Sequence, residues 1–236
     1  MASTEVFNRK EAIKHGWEQA KKNIFFFVKV LVIVIAVYLV LGMIQGMFTD
    51  PETKSSPLLL SILSWILQML LGLGLVRITL NVVDNKKFSL SDIYSEYKYL
   101  PNAAAAGILS MLAIVAGLIL LFIPGIIISI KLQSVNYFIL DKGMGPIEAM
   151  KASWQATKGV KWALFVLGIL LGLINLLGLL ALVIGLFWTY PATLIATAYV
   201  YRKLSAKGGA AGAVAAKTQE PPLVIPSSQA PKATSQ

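Results

Sequence analysis

Lys131, Gln133 and Asn136 stand within a long apolar stretch, Pro101 to Leu140, where a charge is out of place. An ionisable side chain at membrane depth is costly, which makes it a functional candidate by default. A lysine with two amides can hold an anion: a lipid headgroup or a small free one. Lys131 precedes Asp141 by ten residues, so a regular helix puts it about 15 Å from that end, near the middle of a bilayer. Asn175 from a later apolar run is positioned to face the same patch. The alternative is structural, with Lys131 capping carbonyls freed at Pro124-Gly125 or reaching a water-filled dip. Arg77, seven residues before Asp84, is shallower, and its long stem is expected to snorkel to the surface. Lys29 is shallower still.

These residues need elements to carry them, and the composition names the kind. The runs 30–49, 55–76, 99–130 and 162–201 contain no charge. Helices of a soluble protein would need a polar face, so these must meet lipid or each other. At about 20 residues per crossing, 24–48 and 57–83 supply one span each. The stretches 101–140 and 160–201 are each twice that length and supply two. Pro124-Gly125 is the expected turn of the first pair, because proline does not continue a helix and glycine reverses it. The second pair turns between Gly178 and Pro191. The expected fold is therefore an all-α integral membrane protein with six transmembrane helices at about 24–48, 57–83, 102–123, 124–140, 160–183 and 186–203. The first apolar segment is too long for a signal-peptide core and is read as a retained span.

Charge then orients the spans. Arg9, Lys10, Lys14, Lys21 and Lys22 precede the first; Lys86, Lys87 and Lys98 lie between the second and third. Lys142, Lys151, Lys158 and Lys161 lie between the fourth and fifth, and Arg202 and Lys203 close the sixth. The opposite side offers Asp50, Glu52 and Lys54. The positive-inside rule puts both termini and the long connections in the cytoplasm of a cytoplasmic membrane. The net charge of +10 then reports orientation rather than nucleic-acid binding.

One motif occurs twice with identical spacing, each time just before a span. It reads Glu11-Ala12-x-Lys14-x-x-Trp17-x-x-x-Lys21 and Glu148-Ala149-x-Lys151-x-x-Trp154-x-x-x-Lys158. Tryptophan favours the headgroup level, and each lysine near an anionic surface contributes about 1 kcal/mol. These residues are candidate lipid-headgroup anchors; specific recognition of a lipid or partner is the sharper alternative. A third interfacial helix is expected over 89–100, started by Ser89 and Asp92 and presenting Leu90, Ile93, Tyr94, Tyr97 and Leu100 on one face. With helices at about 10–22 and 146–158, the chain reads as three pseudo-repeats of interfacial helix plus hairpin within 1–204. Residues 205–236, rich in Ala, Gly, Pro, Ser and Gln, read as a disordered tail, and Pro221-Pro222 as part of it.

Several chemistries lose their residues at once. There is no cysteine, and the one histidine, His15, is expected to be solvated on a basic helix. No carboxylate falls within an expected span, which argues against an ion-coupled carrier. Any backbone carbonyls for a coupling ion are expected at helices broken at Pro124-Gly125 or at Pro191. No catalytic triad, metal-ligand cluster or glycine-rich phosphate loop is present, so neither enzyme activity nor a cofactor is expected.

In the second half, Phe122-Ile123-Pro124-Gly125-Ile126-Ile127, Tyr137-Phe138-Ile139-Leu140-Asp141, Glu148-Ala149-x-x-x-Ser153 with Lys158-Gly159, and Gly185-Leu186-Phe187-Trp188-x-Tyr190-Pro191 with Tyr199 and Tyr201 follow in order. This resembles a prokaryotic group of multipass membrane proteins of unknown function. It is also similar to the membrane domain of some glycerophosphodiester phosphodiesterases and to YciC-type inner-membrane proteins. The resemblance implies no activity and no catalytic residue. It does place Lys131 where relatives carry a polar or basic residue. The leading expectation is a non-enzymatic protein of the envelope, binding anionic lipids, with a membrane-protein partner or a second copy. The alternative is a transporter or channel for a lipid or small amphiphile around Lys131.

Overall fold

The structure, a computed structural model, describes residues 6–50, 56–181 and 185–218, with side chains through 207. It is helical, with no strand among the described residues: α1 (Arg9–Lys22), α2 (Ile24–Phe48), α3 (Leu58–Val83), α4 (Leu100–Leu120), α5 (Phe122–Leu132), α6 (Val135–Lys142), α7 (Pro146–Ala156), α8 (Lys161–Leu180) and α9 (Leu186–Thr218). Two 3-10 turns, Leu90–Ile93 and Ser95–Tyr99, link α3 to α4. Five stretches are long and apolar enough to cross a membrane: Ile24–Phe48, Leu58–Val83, Leu90–Leu120, Phe122–Lys142 and Lys161–Leu180. The sixth expected span, within α9, is not among them: only the sixteen residues Leu186 to Tyr201 precede Arg202-Lys203 in that helix.

Local sequence explains where the helices start. Asn8 caps α1, its Oδ1 accepting from the amides of Lys10 (2.9 Å) and Glu11 (3.4 Å). Pro146 opens α7, and Glu148 Oε2 accepts from the Gly145 amide at 3.4 Å. In both helices a small residue recurs every fourth position opposite the lysines. Ala12, Gly16 and Ala20 are buried in α1, and Ala149 and Ser153 in α7 with Thr157 just beyond it. That stripe lets α1 lie against α9 and α7 against α4, α5 and α6.

The contact at Gly16 is tight enough to forbid a side chain. A Cβ there would stand 2.3 Å from the Ala192 carbonyl oxygen, which is backbone and cannot yield. Gly16→Ala is expected to cost about 1–3 kcal/mol by overpacking, read as a lower melting temperature in detergent.

Four expectations about the elements are corrected. The chain reverses at Leu121, which is extended (φ −163°, ψ 137°), and not at Pro124-Gly125. Pro124 lies in the first turn of α5, where an amide N–H has no helical acceptor to lose. Gly125 instead allows a close crossing with Gly117, whose added Cβ would stand 3.0 Å from the Gly125 Cα. Pro191 likewise sits inside a continuous α9. The expected helix over 89–100 is two 3-10 turns; Ser89 and Asp92 do cap the first, the Ser89 amide donating to Asp92 Oδ2 at 3.0 Å. Its buried side chains are Ile93 and Glu96, while Tyr94 and Tyr97 are exposed. Finally, α9 continues through alanine-rich sequence to Thr218, past the expected boundary at 205, since alanine is the best helix former. Residues 219–236, Glu52 and Lys54 lie outside the described residues.

The core gathers around α9. Ile195, Ala196, Ala198, Val200, Tyr201 and Leu204 are buried there, joined by α3 through Leu73, Ile78 and Leu80 and by α6 through Tyr137, Phe138, Ile139 and Leu140. Tyr201 stacks on Tyr137, with ring centroids 5.1 Å apart. By contrast α2, the tip of the α4–α5 hairpin and the far half of α8 expose large apolar side chains. An apolar surface of that extent requires a nonaqueous environment or a partner.

Candidate functional site

The expected polar patch does not assemble, and the reason is a break in the helix that was to carry it. α5 ends at Leu132, Gln133 and Ser134 turn the chain, and α6 resumes at Val135. Gln133 and Asn136 are exposed, while Asn175 donates from Nδ2 to Thr193 Oγ1 at 3.1 Å on α9. Lys131 therefore has different company from that expected.

Its ammonium lies over the Trp154 ring, 3.5 Å from the centroid. A cation on an indole face gains about 0.5–2 kcal/mol according to its desolvation. Ser153, next to Trp154, donates its hydroxyl to the Lys131 carbonyl at 2.6 Å, fixing α7 to the last turn of α5. Lys131 thus sits beside the motif helix α7. Lys158 and Lys161, at the α7–α8 connection, are near enough for their charges to act on it. Among the described residues no carboxylate forms an ion pair with Lys131, Lys151, Lys158 or Lys161. The cluster is cationic without internal compensation.

Two apolar grooves flank α5 below this cluster. One, of about 250 Å3, runs between α5 and α8, lined by Ile123, Ile126, Ile127, Ile130 and Phe165 with Lys161 and Trp162. The other, of about 520 Å3, lies between α4, α5 and α7, lined by Leu109, Ala113, Ile128 and Leu132 with Lys151 and Trp154. In each groove lysine is the charged residue.

The first motif copy is placed differently. Trp17 is exposed to the same degree as Trp154, 42 % in both, but rests on Trp188 at 6.2 Å rather than on a cation. Lys14 and Lys21 are exposed, Lys14 lying 3.8 Å from Glu18. His15 is not solvated as expected. Its ring packs 4.6 Å from Tyr199, its Nε2 is buried, and burial lowers its pKa against the opposing pull of Glu18 and Glu11.

Arg77 is also corrected. It does not snorkel; it forms a two-pronged pair with Glu96 (Nε–Oε1 2.7 Å, Nη2–Oε2 2.9 Å) and donates to the Leu140 carbonyl at 2.9 Å. A second ionic cluster escaped the sequence reading. Arg202 binds Asp84 (2.7 and 2.5 Å) and Asp141 (2.7 Å), and Asp141 accepts from Tyr201 at 2.8 Å. Asp84 and Asp141 stand at the ends of α3 and α6, whereas Arg202 lies midway along α9. These groups tie α3, α6 and α9 together, and among the described residues no group of three or more metal-ligating side chains occurs.

No curated protein and no solved structure matches the chain. The similarity to phosphodiesterase membrane domains and to YciC-type proteins thus gains no support. The Lys131–Trp154 cluster and both grooves fall within residues 102–208, which match the model of a family described as protein of unknown function, DUF975.

Proposed function

We propose that the chain is a non-enzymatic integral membrane protein whose lysine cluster at the α5–α7–α8 junction holds the phosphate of an anionic phospholipid. The carrying observation is Lys131 on the Trp154 ring beside Lys158 and Lys161, with no carboxylate to neutralise them. Uncompensated cations above apolar grooves suit a ligand anionic at one end and hydrocarbon at the other. A carrier would need alternating access to a polar site within the bilayer, and the expected patch for it is dispersed. The role that fits best is lipid-dependent organisation of the cytoplasmic membrane of a prokaryote, and a partner protein or second copy on the exposed apolar faces fits the same role.

The proposed topology keeps both termini and the lysine-rich connections in the cytoplasm. Three units of interfacial segment and hairpin are supported by the convergence of Asp84, Asp141 and Arg202 and by the matched stripes of α1 and α7. The first hairpin crosses fully through α2 and α3. The second turns back inside the hydrocarbon: from Lys131 to the start of α5 at Phe122 is about 14 Å, half of a core about 30 Å thick. Its tip, Ile119 to Ile123, is wholly apolar and exposed. Three backbone features suit that placement. Leu121 N–H donates to the Gly117 carbonyl at 3.1 Å, its own carbonyl accepts from Gly125 at 3.5 Å, and Pro124 has no N–H to satisfy.

Thermal unfolding of the purified full chain in a nonionic detergent tests the lipid reading. Added phosphatidylglycerol is expected to raise the melting temperature and phosphatidylcholine to leave it unchanged. In a variant with Lys131, Lys151, Lys158 and Lys161 all changed to Gln, the phosphatidylglycerol shift is expected to vanish. A shift that survives in that variant would sink the proposal.

A further inference from the structure

α5 separates the two grooves, and its residues divide accordingly. Ile128 and Leu132, four apart, line the groove against α4 and α7. Ile123, Ile126, Ile127 and Ile130 line the one against α8. At about 100° per residue, Lys131 falls on the strip between these two faces. It therefore lies between the grooves by helix geometry and rests on Trp154 of the lining of one, with Lys151 lining that groove and Lys161 lining the other.

We infer that the site takes one diacyl phospholipid astride α5, its phosphate on Lys131 and one acyl chain in each groove. This rests on the lipid reading above and specifies it. Charge complementarity fixes the headgroup as anionic, since the cluster has four lysines and no paired carboxylate. The two grooves suit a double tail, since each is apolar with one lysine in its lining and they lie on either side of the strip of α5 that carries Lys131. Trp154, held beneath that ammonium, keeps Lys131 from pairing elsewhere and leaves its outward hydrogens for the phosphate oxygens. Straddling also gives the short α5 hairpin lateral support where the protein supplies little. Ile123 and Trp162 are 70 % and 77 % exposed.

The test uses the full chain in detergent, titrated with phosphatidylglycerol and read by native mass spectrometry. One retained lipid per chain is expected. Ala113→Phe fills one groove and Ile127→Trp the other. Each alone is expected to weaken retention about tenfold, and lysophosphatidylglycerol to be held about tenfold less well than the diacyl lipid. Two lipids per chain, with each variant removing one, would overturn the straddling arrangement while leaving the lipid reading intact. So would variants that change nothing. Retention of phosphatidylglycerol no better than of phosphatidylcholine would overturn both.

A second measurement on the unaltered chain avoids any effect of the substitutions on folding. Phosphatidylglycerol carrying a photoreactive group on one acyl chain or on the other is expected to label different helices, α8 in one case and α4 or α7 in the other. Labelling of a single groove by both would contradict the inference.

Discussion

Arg202→Leu is expected to lower the melting temperature of the detergent-solubilised protein more than any other single change proposed. Among the described residues Arg202 is the only cation shared by Asp84 and Asp141, at 2.5 and 2.7 Å, and the three side chains are 23 %, 18 % and 13 % exposed. Removing one partner of a largely buried pair leaves charge uncompensated, at a cost of about 3 kcal/mol, the low end of the usual range because water still reaches the site. Lys86 at 3.0 Å and Lys142 at 3.6 Å soften the loss without replacing the bridge. Arg202→Lys should recover little, because one ammonium cannot reproduce a fork that engages two carboxylates. Adding Asp84→Asn and Asp141→Asn to Arg202→Leu should recover part of it, since the orphaned charges are gone. A melting temperature for Arg202→Leu within a degree of the parent would remove the cluster from the account of stability.

A single cysteine at the tip of the second hairpin is expected to be unreactive where one in the first hairpin loop reacts fully. The chain has no cysteine, so Ser56→Cys and Leu121→Cys each carry one thiol. Ser56 lies beside the polar segment that joins α2 to α3, whereas Leu121 stands between Leu120 and Phe122, all three exposed and none near a charge. A membrane-impermeant maleimide needs a thiolate in water. In intact cells it should modify Ser56→Cys and spare Leu121→Cys until detergent is added. Labelling of Leu121→Cys at the rate of Ser56→Cys would mean that the second hairpin emerges on the far side, restoring a full crossing there.

What the sequence made legible follows from which signals are local. The start of α7 at Pro146 and Glu148, the limits of α2 and α3, and the helices of the doubled motif depend on residues within a few positions of each other, and they stand where expected. The proline misled because its effect depends on register. Pro124 breaks a helix that arrives from Leu120, yet starts one that leaves from Leu121. The company of Lys131 was not legible because the break at Gln133-Ser134 carries neither glycine nor proline. The break follows from the packing of Val135, Tyr137, Phe138, Ile139 and Leu140 into the core, a tertiary cause. Arg77–Glu96 and Arg202–Asp84 join residues far apart in the chain and leave no local trace. The stripe Ala12-Gly16-Ala20 against Ala149-Ser153-Thr157 was readable, but lysine and tryptophan on the opposite face drew the reading first.

The cluster therefore changes meaning between sequence and structure. Lys131 is a lone charge in an apolar run in the first and the centre of a cationic mouth at the α7 level in the second. Its partners come from the very motif that had been read as an anchor.

The most direct test of this account is native mass spectrometry of the unaltered full chain exposed to an equal mixture of phosphatidylglycerol and phosphatidylcholine. The account predicts that the lipid remaining after detergent stripping is phosphatidylglycerol; retention of the two in equal amount would contradict it.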